Sequence, residues 1–369
     1  MKWLILVIIE VTNRRWGGGC MEFVFSRKEQ QTQILYGETL NAVLRTQEIS
    51  NDQVIILTNQ RYYDRFSEKL TRLFLPKEVS WYICTNQMYC NNFTEFQAFM
   101  SFLSRFSKQE NYLIVGFGNE GVLALSSFIH YTSILTSDLW LIPVSLRALA
   151  KSVKESAIIV KKPDIPVLQS PNVPQVVVYD QTIAEKQKDG KLVDLLVLIR
   201  CGLLTDQAFL RELFRTFLTE KQVNNRSFAA YTDRVIQAYQ ANGAALEEYG
   251  QVFTDAFYKT ENGHLLSDAM KLFYGLLFHL IWNVQQQQLA VKLDKLCLWL
   301  DQLGFPLVLP DQLSLSDYFQ QVLLLQKKEK KLLFLSEIGT IGGRTSALEE
   351  DLVQTMSAYQ TIINQIRGT

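Results

Sequence analysis

The glycines of the stretch NYLIVGFGNEGVLALSSF are the residues whose type and spacing most directly suggest chemistry. An apolar strand pattern leads into Gly116, Gly118 and Gly121, and an apolar-periodic helix follows them. Glycines let the backbone turn sharply and approach a ligand, and a helix N-terminus offers unpaired N–H groups and a positive dipole end to an anion. The stretch predicts a phosphate cradle, although a tight strand-to-helix turn without a ligand has the same pattern.

The segments around these glycines alternate between strand-like and helix-like patterns from residue 21 to about residue 180. MEFVFS alternates as an edge strand does. The other predicted strands are VIILT, VSWYIC, YLIVGF, DLWLIPV and VPQVVVYD, with helical segments between them. Such a βαβ series predicts a Rossmann-like α/β domain with a mostly parallel sheet over residues 21–180.

Long helical segments replace this alternation over residues 181–369. KLVDLLVLIRCGLL, DQAFLRELFRTFL and HLLSDAMKLFYGLLFHLIWNV all have helical periodicity. We therefore expect an all-α C-terminal domain. Ser346 and Glu349 have the spacing of a capping box, which predicts the start of the last helix.

Residues 1–20 need a separate interpretation because WLILVII looks like the apolar part of a signal peptide. The run ends at Glu10, no small-residue cleavage site follows, and it is far shorter than the ~20 apolar residues that span a bilayer. The WGGGC before Met21 is what a translated bacterial ribosome-binding site would encode. We interpret residues 1–20 as a possible non-native extension and expect a cytoplasmic protein with no membrane partner.

Composition narrows the class of partner and the redox compartment. The chain has 37 basic and 37 acidic residues, so electrostatics give no reason to expect nucleic acid. Its five cysteines are Cys20, Cys84, Cys90, Cys201 and Cys297, and none forms a C-x-x-C pair. Buried free thiols in a reducing cytoplasm are expected, although Cys84 and Cys90 could pair across a loop.

Several motifs follow one another in the order of a single family. GFGNEGVLALSSF is similar to GGG-x-x-GD-x-x-GF, IPVSLRALAKSV to IPT-[ST]-LLAQ-x-DSSV, LVLIRCGLLTDQAFL to AEVIKYGLIxDxxFF, and NGHLLSDA to NxGHTxGHA. The chain resembles 3-dehydroquinate synthase and the related sugar-phosphate cyclases, whose fold is shared with iron-dependent alcohol and glycerol dehydrogenases. The resemblance covers residues 21–340, and it implies an α/β domain followed by a helical domain, in a homodimer.

The resemblance also implies a zinc site, from which this chain departs. A glutamate and two histidines hold zinc in the family, and the matching positions here are Val197, His264 and Tyr274. One imidazole cannot hold a zinc ion against water, and an isopropyl group brings no charge to offset the metal. We expect no stoichiometric zinc, with His264 as a vestigial ligand.

An alternative metal site remains open around His264. Asp268 lies four residues further on and would share a helix face with His264, and Glu261 is close in sequence. The competing interpretation is that His264 is a hydrogen-bonded residue at a helix start. His279, five residues beyond Tyr274, should point away from Tyr274 around the helix.

The residues that match the family's NAD site have also changed. Asn59 stands at the position of the acidic residue that binds the adenosine ribose, and Val122 and Ala150 replace aspartates. Ser156 falls near the position of a lysine. We therefore expect no tight NAD binding, and we interpret the three glycines of the loop as vestigial.

Several cations still match positions that contact substrate in the family. Lys161 or Lys162, Arg200 and Lys327 could hold a phosphorylated or carboxylated small molecule. Lys328, Lys330 and Lys331 are interpreted as solvated surface residues.

These departures predict a catalytically degenerate homologue that acts as a small-molecule-binding or protein-interaction module. The alternative is an active synthase or related cyclase with an altered active site, including one that works without a metal. A polyol dehydrogenase of the iron-dependent group is a third hypothesis, but that activity also needs a full metal site.

Overall fold

The computed structural model describes residues 12–15, 21–27, 30–184, 190–287, 289–328 and 331–368. The chain divides into two compact units, Met1–Gln187 and Lys188–Thr369. The apolar run WLILVII, the WGGGC segment with Cys20, and Lys330 lie outside the described residues.

The N-terminal unit contains strands and helices in alternation. Its strands are β1 (Thr12–Arg15), β2 (Met21–Arg27), β3 (Gln30–Tyr36), β4 (Gln53–Asn59), β5 (Glu78–Cys84), β6 (Asn111–Gly118), β7 (Thr136–Pro143), β8 (Ser156–Lys162), β9 (Ile165–Pro171) and β10 (Val176–Tyr179). Its helices are α1 (Leu40–Leu44), α2 (Gln60–Leu73), α3 (Phe93–Leu103), α4 (Glu120–Thr132), α5 (Leu146–Ser152) and α6 (Gln181–Ala184).

The main sheet confirms the predicted α/β class. Its order is β1-β2-β3-β10-β7-β6-β4-β5, and every neighbouring pair from β3 to β5 is parallel. β1, β2 and β3 pair antiparallel at one side. β8 and β9 form a separate antiparallel hairpin, which the apolar pattern did not predict.

Helices cover both faces of the central strands. On α2, Tyr62, Phe66 and Leu70 recur every four residues and pack in a buried cluster with Val115 and Phe117 of β6. Gly116, between them in sequence, faces the opposite side of the sheet, against Ser126 of α4. Because both faces are covered, β4 and β6 are apolar almost throughout.

The N-terminal strand corrects one expectation. Thr12–Arg15, inside the segment interpreted as non-native, forms β1 and pairs with β2 in the register Thr12↔Val24 to Arg15↔Met21. β2 therefore lies between two strands, and the prediction that MEFVFS is an edge strand is wrong. The TNRR sequence gave no strand signal because an edge strand can pair through its backbone alone, without an apolar face.

The C-terminal unit is mainly helical, as expected. Its helices are α7 (Lys191–Thr205), α8 (Gln207–Thr216), α9 (Glu220–Asn225), α10 (Thr232–Glu248), α11 (Gln251–Phe257), α12 (Asp268–Gln287), α13 (Leu293–Gln302), α14 (Leu315–Lys328) and α15 (Glu349–Arg367). Short 3₁₀ turns occur at Ala229–Tyr231 and Gly263–Leu265.

Two local features of this unit differ from the sequence predictions. The segment KLLFLSEIG belongs to an antiparallel hairpin of β11 (Leu332–Glu337) and β12 (Thr340–Thr345), so the unit is not purely α-helical. The last helix is capped at Leu348, whose N–H donates to Asp351 Oδ2 at 2.7 Å. The predicted capping box of Ser346 and Glu349 is wrong, because Glu349 is already the first helical residue.

None of the helices in the described residues combines the length and the apolar character needed to cross a membrane.

Candidate functional site

The carboxyl ends of β4 and β6 form the point of the N-terminal unit where a ligand is expected. The two strands are neighbours, yet α2, which follows β4, and α4, which follows β6, pack on opposite faces of the sheet. In open α/β sheets, the crevice at such a topological switch point is the usual ligand site. The predicted glycines lie at this position.

Two of the three glycines serve close packing within the chain. A Cβ on Gly116 would lie 2.7 Å from Ser126 Oγ, so glycine lets α4 approach the sheet. A Cβ on Gly121, in the first turn of α4, would overlap the carbonyl oxygen of Met88. A Cβ on Gly118 would contact Val122, four residues further along the chain. The strand–glycine–helix prediction is correct as local structure, and close packing within the unit accounts for Gly116 and Gly121.

The loop after β5 lies against the N-termini of both flanking helices. Asn119 caps α4 by accepting from Val122 N–H at 3.2 Å, and its Nδ2 donates to Gln87 O at 3.0 Å. Asn86 Oδ1 accepts from the N–H of Arg61 in the first turn of α2, at 3.2 Å. The loop thus contributes its own polar atoms at the helix ends where a dinucleotide would place its phosphates.

Asn59 is the last residue of β4 and is buried. Its Nδ2 donates to Thr85 O at 2.5 Å, which fixes the amide orientation, and no donor in the described residues reaches its Oδ1. A neutral amide held by the loop in this way is a poor substitute for a carboxylate that binds two ribose hydroxyls. Val122 and Ala150 are also buried, so neither offers a polar contact.

Glu95 of α3 binds the start of this loop and the strand before it through two hydrogen bonds. Thr85 N–H donates to Glu95 Oε1 at 3.0 Å, and Tyr82 OH donates to Glu95 Oε2 at 2.9 Å. Cys84 and Cys90 are buried free thiols at the two ends of the loop. A hydrogen bond with Cys90 and burial raise the pKa of the Cys84 thiol well above its usual value, so it stays protonated.

An ion pair that the sequence analysis missed lies at the start of α4. Glu120 is the first residue of α4 and Arg147 the second residue of α5, and Arg147 Nε lies 2.6 Å from Glu120 Oε2. Their side chains are only 7% and 6% exposed. The sequence signal was a charged residue within each of two otherwise apolar motifs, GFGNEGVLAL and IPVSLRALA.

The predicted anion-binding lysines of this unit lie elsewhere. Lys161 and Lys162 are exposed at the end of β8, in the separate hairpin, and Ser156 is the first residue of the same strand. Lys327 is exposed near the end of α14 in the C-terminal unit.

In the C-terminal unit, two of the three positions that match zinc ligands are occupied by buried side chains that are not zinc ligands in the family. Val197 is buried on α7. Tyr274 of α12 is fully buried, and its hydroxyl donates to Val308 O at 2.9 Å. Burial also raises the Tyr274 pKa, so the phenol stays protonated.

His264 lies in the 3₁₀ turn before α12 and is exposed. Asp268 is the first residue of α12 and accepts from Tyr258 OH at 2.7 Å. The prediction that the two side chains share one helix face is wrong, because Leu266 has an extended backbone and ends the 3₁₀ turn before α12 begins. Across the described residues no group of three or more His, Cys, Asp and Glu side chains could hold a metal ion.

Arg200, predicted as an anion contact, is buried on α7. Its Nη1 lies 3.8 Å from Glu247 Oε1, which also accepts from Tyr239 OH at 3.0 Å. The guanidinium thus already has a carboxylate partner inside the unit.

His279 is the other buried polar centre of this unit. Its ring stacks on Tyr249 with centroids 3.9 Å apart, its Nδ1 accepts from Gly250 N–H at 2.7 Å, and its Nε2 donates to Leu333 O at 2.7 Å. Burial lowers the His279 pKa to about 3, so the imidazole is neutral. One turn further along α12, Asn283 accepts from Leu335 N–H at 2.7 Å. Together they hold strand β11 against α12, a role that the His-x-x-x-Asn spacing in an apolar helix could have suggested.

Comparisons with known proteins give the fold and no close sequence relative. No protein-family model matches the chain, and no curated protein matches it in sequence. Solved structures match over most of its length. The chain has the fold of the sugar-phosphate cyclases.

A 2-deoxy-scyllo-inosose synthase, solved with carbaglucose-6-phosphate, NAD+ and Co2+, matches with a TM-score of 0.73 at 12% identity, over 90% of this chain and 98% of that one. The 2-epi-5-epi-valiolone synthase of Streptomyces hygroscopicus subsp. jinggangensis 5008, solved with NAD+ and Zn2+, gives 0.71 at 10% identity over 91% and 98%. The iron-containing alcohol dehydrogenase of Thermococcus thioreducens gives 0.63 at 13% identity over 89% and 98%. The predicted dehydroquinate synthase-like fold is therefore confirmed.

Proposed function

We propose that this chain is a catalytically degenerate protein with the sugar-phosphate cyclase fold, which keeps the scaffold as a binding or interaction module. The observation that carries this proposal is the environment of Tyr274. At a position that matches a zinc-binding histidine, its hydroxyl is already bonded to Val308 O within an apolar, aromatic core.

Val197 supports the same conclusion, because it brings no electron pair and no charge to the metal position that matches the family's glutamate. His264 alone is left of three ligands, and it is exposed. The residues present do not fit a catalytic zinc ion, and chemistry that depends on a metal to polarise substrate oxygens has no support in this unit.

The ligand of such a module is proposed to be a phosphorylated or carboxylated small molecule. Lys161 and Lys162 are exposed and adjacent, and Lys327 is also exposed, so all three remain candidates for holding an anion. Arg200 is a weaker candidate, because Glu247 lies beside its buried guanidinium. A homodimer in the cytoplasm, as the family resemblance implies, belongs to the same proposal.

Metal analysis tests the proposal directly. After exposure to excess Zn2+ and desalting, the chain is expected to retain no stoichiometric zinc. The matched positive control is Val197→Glu with Tyr274→His, which restores the family's three ligand types with His264. One ion per chain in the unsubstituted protein, lost in His264→Ala, would overturn the proposal. So would turnover of a hexose phosphate with NAD+ that His264→Ala abolishes.

A second candidate function, an enzyme with an altered metal-free site, is favoured by Lys271 of α12. This amine is buried, donates to Leu266 O at 2.5 Å, lies 3.8 Å from Asp268 Oδ1 and sits 4.6 Å from the centroid of the Tyr258 ring. Burial lowers the Lys271 pKa, and Asp268 opposes that shift. A buried amine of lowered pKa beside a carboxylate and a phenol is a common feature of catalytic sites.

Enzymatic turnover measured in the presence of a chelator separates the two candidates. If the chain is a binding module, Lys271→Met should not change its affinity for the ligand. If it is a metal-free enzyme, Lys271→Met should abolish turnover. Lys327→Met, at an exposed position, is the control for a nonspecific loss of charge. Chelator-resistant turnover that Lys271→Met removes would favour the enzyme over the module.

A further inference from the structure

The start of α4 carries both charges of a buried ion pair at the place where the fold would bind the phosphates of a cofactor. Glu120 is in the first turn of α4, so its carboxylate lies at the positive end of the helix dipole. Anions are favoured at such a helix end, and a side-chain carboxylate satisfies the same preference as a phosphate oxygen.

Arg147 is at an unusual position for a cation. It is the second residue of α5, whose N-terminus disfavours positive charge. The helix itself therefore does not account for an arginine here, whereas the 2.6 Å contact with Glu120 does. The two charges form one unit, and each is needed to make the burial of the other tolerable.

The loop after β5 packs against this helix end. Asn119 Nδ2 donates to Gln87 O, and Gly121 lies against the carbonyl oxygen of Met88 with no room for a Cβ. Apart from the ion pair with Arg147, no donor in the described residues reaches either oxygen of the Glu120 carboxylate. A phosphate at this helix end would lie next to a buried carboxylate, and like charges repel strongly at low dielectric.

We propose that Glu120 is a built-in anion that excludes phosphate and nucleotide phosphates from the N-terminus of α4, with Arg147 as the cation it holds. The contact is autoinhibitory: the start of α4, with Arg147 beside it, would attract an anion once the carboxylate is removed. This extends the proposed function from the metal positions to the cofactor side. The two proposals can fail separately, because zinc analysis reports on the C-terminal unit and phosphate binding on the N-terminal one.

Inorganic phosphate and NAD+ are the probes, titrated into the full chain by calorimetry with chloride at equal ionic strength as the reference. Neither probe should bind at the start of α4 in the unsubstituted protein, so any phosphate that it binds at Lys161 or Lys162 should persist in Arg147→Met. Glu120→Gln should gain phosphate affinity by at least about tenfold, because a like charge is removed while Arg147 remains. Glu120→Gln combined with Arg147→Met should lose that gain. Glu120→Gln that is folded and gains nothing would overturn the proposal.

A measurement on the unsubstituted chain keeps the test valid if Glu120→Gln does not fold. Phosphate binding at millimolar concentration that disappears in Arg147→Met, but persists in Lys161→Met, would mean that Arg147 binds an anion even with Glu120 in place. That result would also overturn the proposal. No phosphate binding in the unsubstituted chain, together with weak phosphate binding in the less bulky Glu120→Ala, would support it.

Discussion

The start of α4 in the N-terminal unit and the α7 and α12 positions in the C-terminal unit differ in how they treat charge. At α4, Glu120 and Arg147 form a buried ion pair. At α7 and α12, the uncharged Val197 and Tyr274 are part of an apolar core. The difference teaches that positions matching a ligand site can hold either an internal ion pair or a packed core. The two solutions should respond differently to substitution.

The largest expected effect is on the charged side of this comparison. Arg147→Met should lower the free energy of unfolding by about 3–5 kcal/mol, because it leaves Glu120 as an uncompensated buried charge, and Glu120→Gln should also lower it by removing the ion pair. The double variant should lose less than the sum of the two single variants. Urea denaturation of all three measures the coupling.

The control for these three variants is an ion pair nearer the surface. Arg344 contacts Glu248 through two hydrogen bonds of 2.6 and 2.7 Å, but its side chain is 56% exposed. Arg344→Met should cost at most about 1 kcal/mol. Equal losses at the two pairs would show that burial does not distinguish them.

A pH-dependent effect should appear on the packed side, at His279. Its pKa is lowered by burial from 6.5 to about 3, so below pH 6.5 the unfolded chain binds a proton that the native chain does not. Stability therefore falls as pH drops from 6.5 towards 3. Between pH 6.5 and 5 this one group should remove about 2 kcal/mol, a loss that His279→Gln would not show.

The slope of the free energy of unfolding against pH decides this prediction, and not its value at one pH, because His279→Gln also changes the hydrogen bonds to Gly250 and Leu333. His264→Gln, at an exposed histidine, is the matched control for the removal of an imidazole. His130, whose pKa is also lowered by burial, contributes equally to both variants. Parallel stability curves for His279→Gln and the unsubstituted chain would contradict a neutral buried imidazole.

A smaller effect is expected at Tyr274. Tyr274→Phe removes the hydrogen bond from a fully buried hydroxyl to Val308 O, at a cost of about 1 kcal/mol. Tyr131→Phe, at an exposed position, should change stability by less than about 0.5 kcal/mol. A neutral Tyr274→Phe would mean that the hydroxyl does not stabilise this core, and would weaken the view that Tyr274 is there for packing.

The smallest effect should follow removal of residues 1–20. That change deletes strand β1 and leaves β2 as the edge of the sheet, so the thermal midpoint should fall only slightly, as expected for a four-residue edge strand. A large fall would show that this segment is an integral part of the N-terminal unit.

The order of elements was predictable from this sequence because its patterns are local. β4, β6 and α2 each have the periodicity of the element that they form, and the motif order indicated a dehydroquinate synthase-like fold despite identities of 10–13% to solved structures. The absence of zinc-binding residue types at Val197 and Tyr274 could also be recognised from the sequence, since residue type alone decides whether a side chain can bind zinc.

The tertiary structure decided which partners the remaining polar residues have. Glu120 and Arg147 are 27 positions apart, and nothing local predicts that they meet; likewise His279 finds Leu333 and Arg200 finds Glu247 only through packing. Sequence by itself determined the order of elements and the residue types at the positions that match zinc ligands, because periodicity and residue type are properties of short segments. Whether a retained charge faces a ligand or another side chain depends on contacts between distant segments, and those exist only in the folded chain.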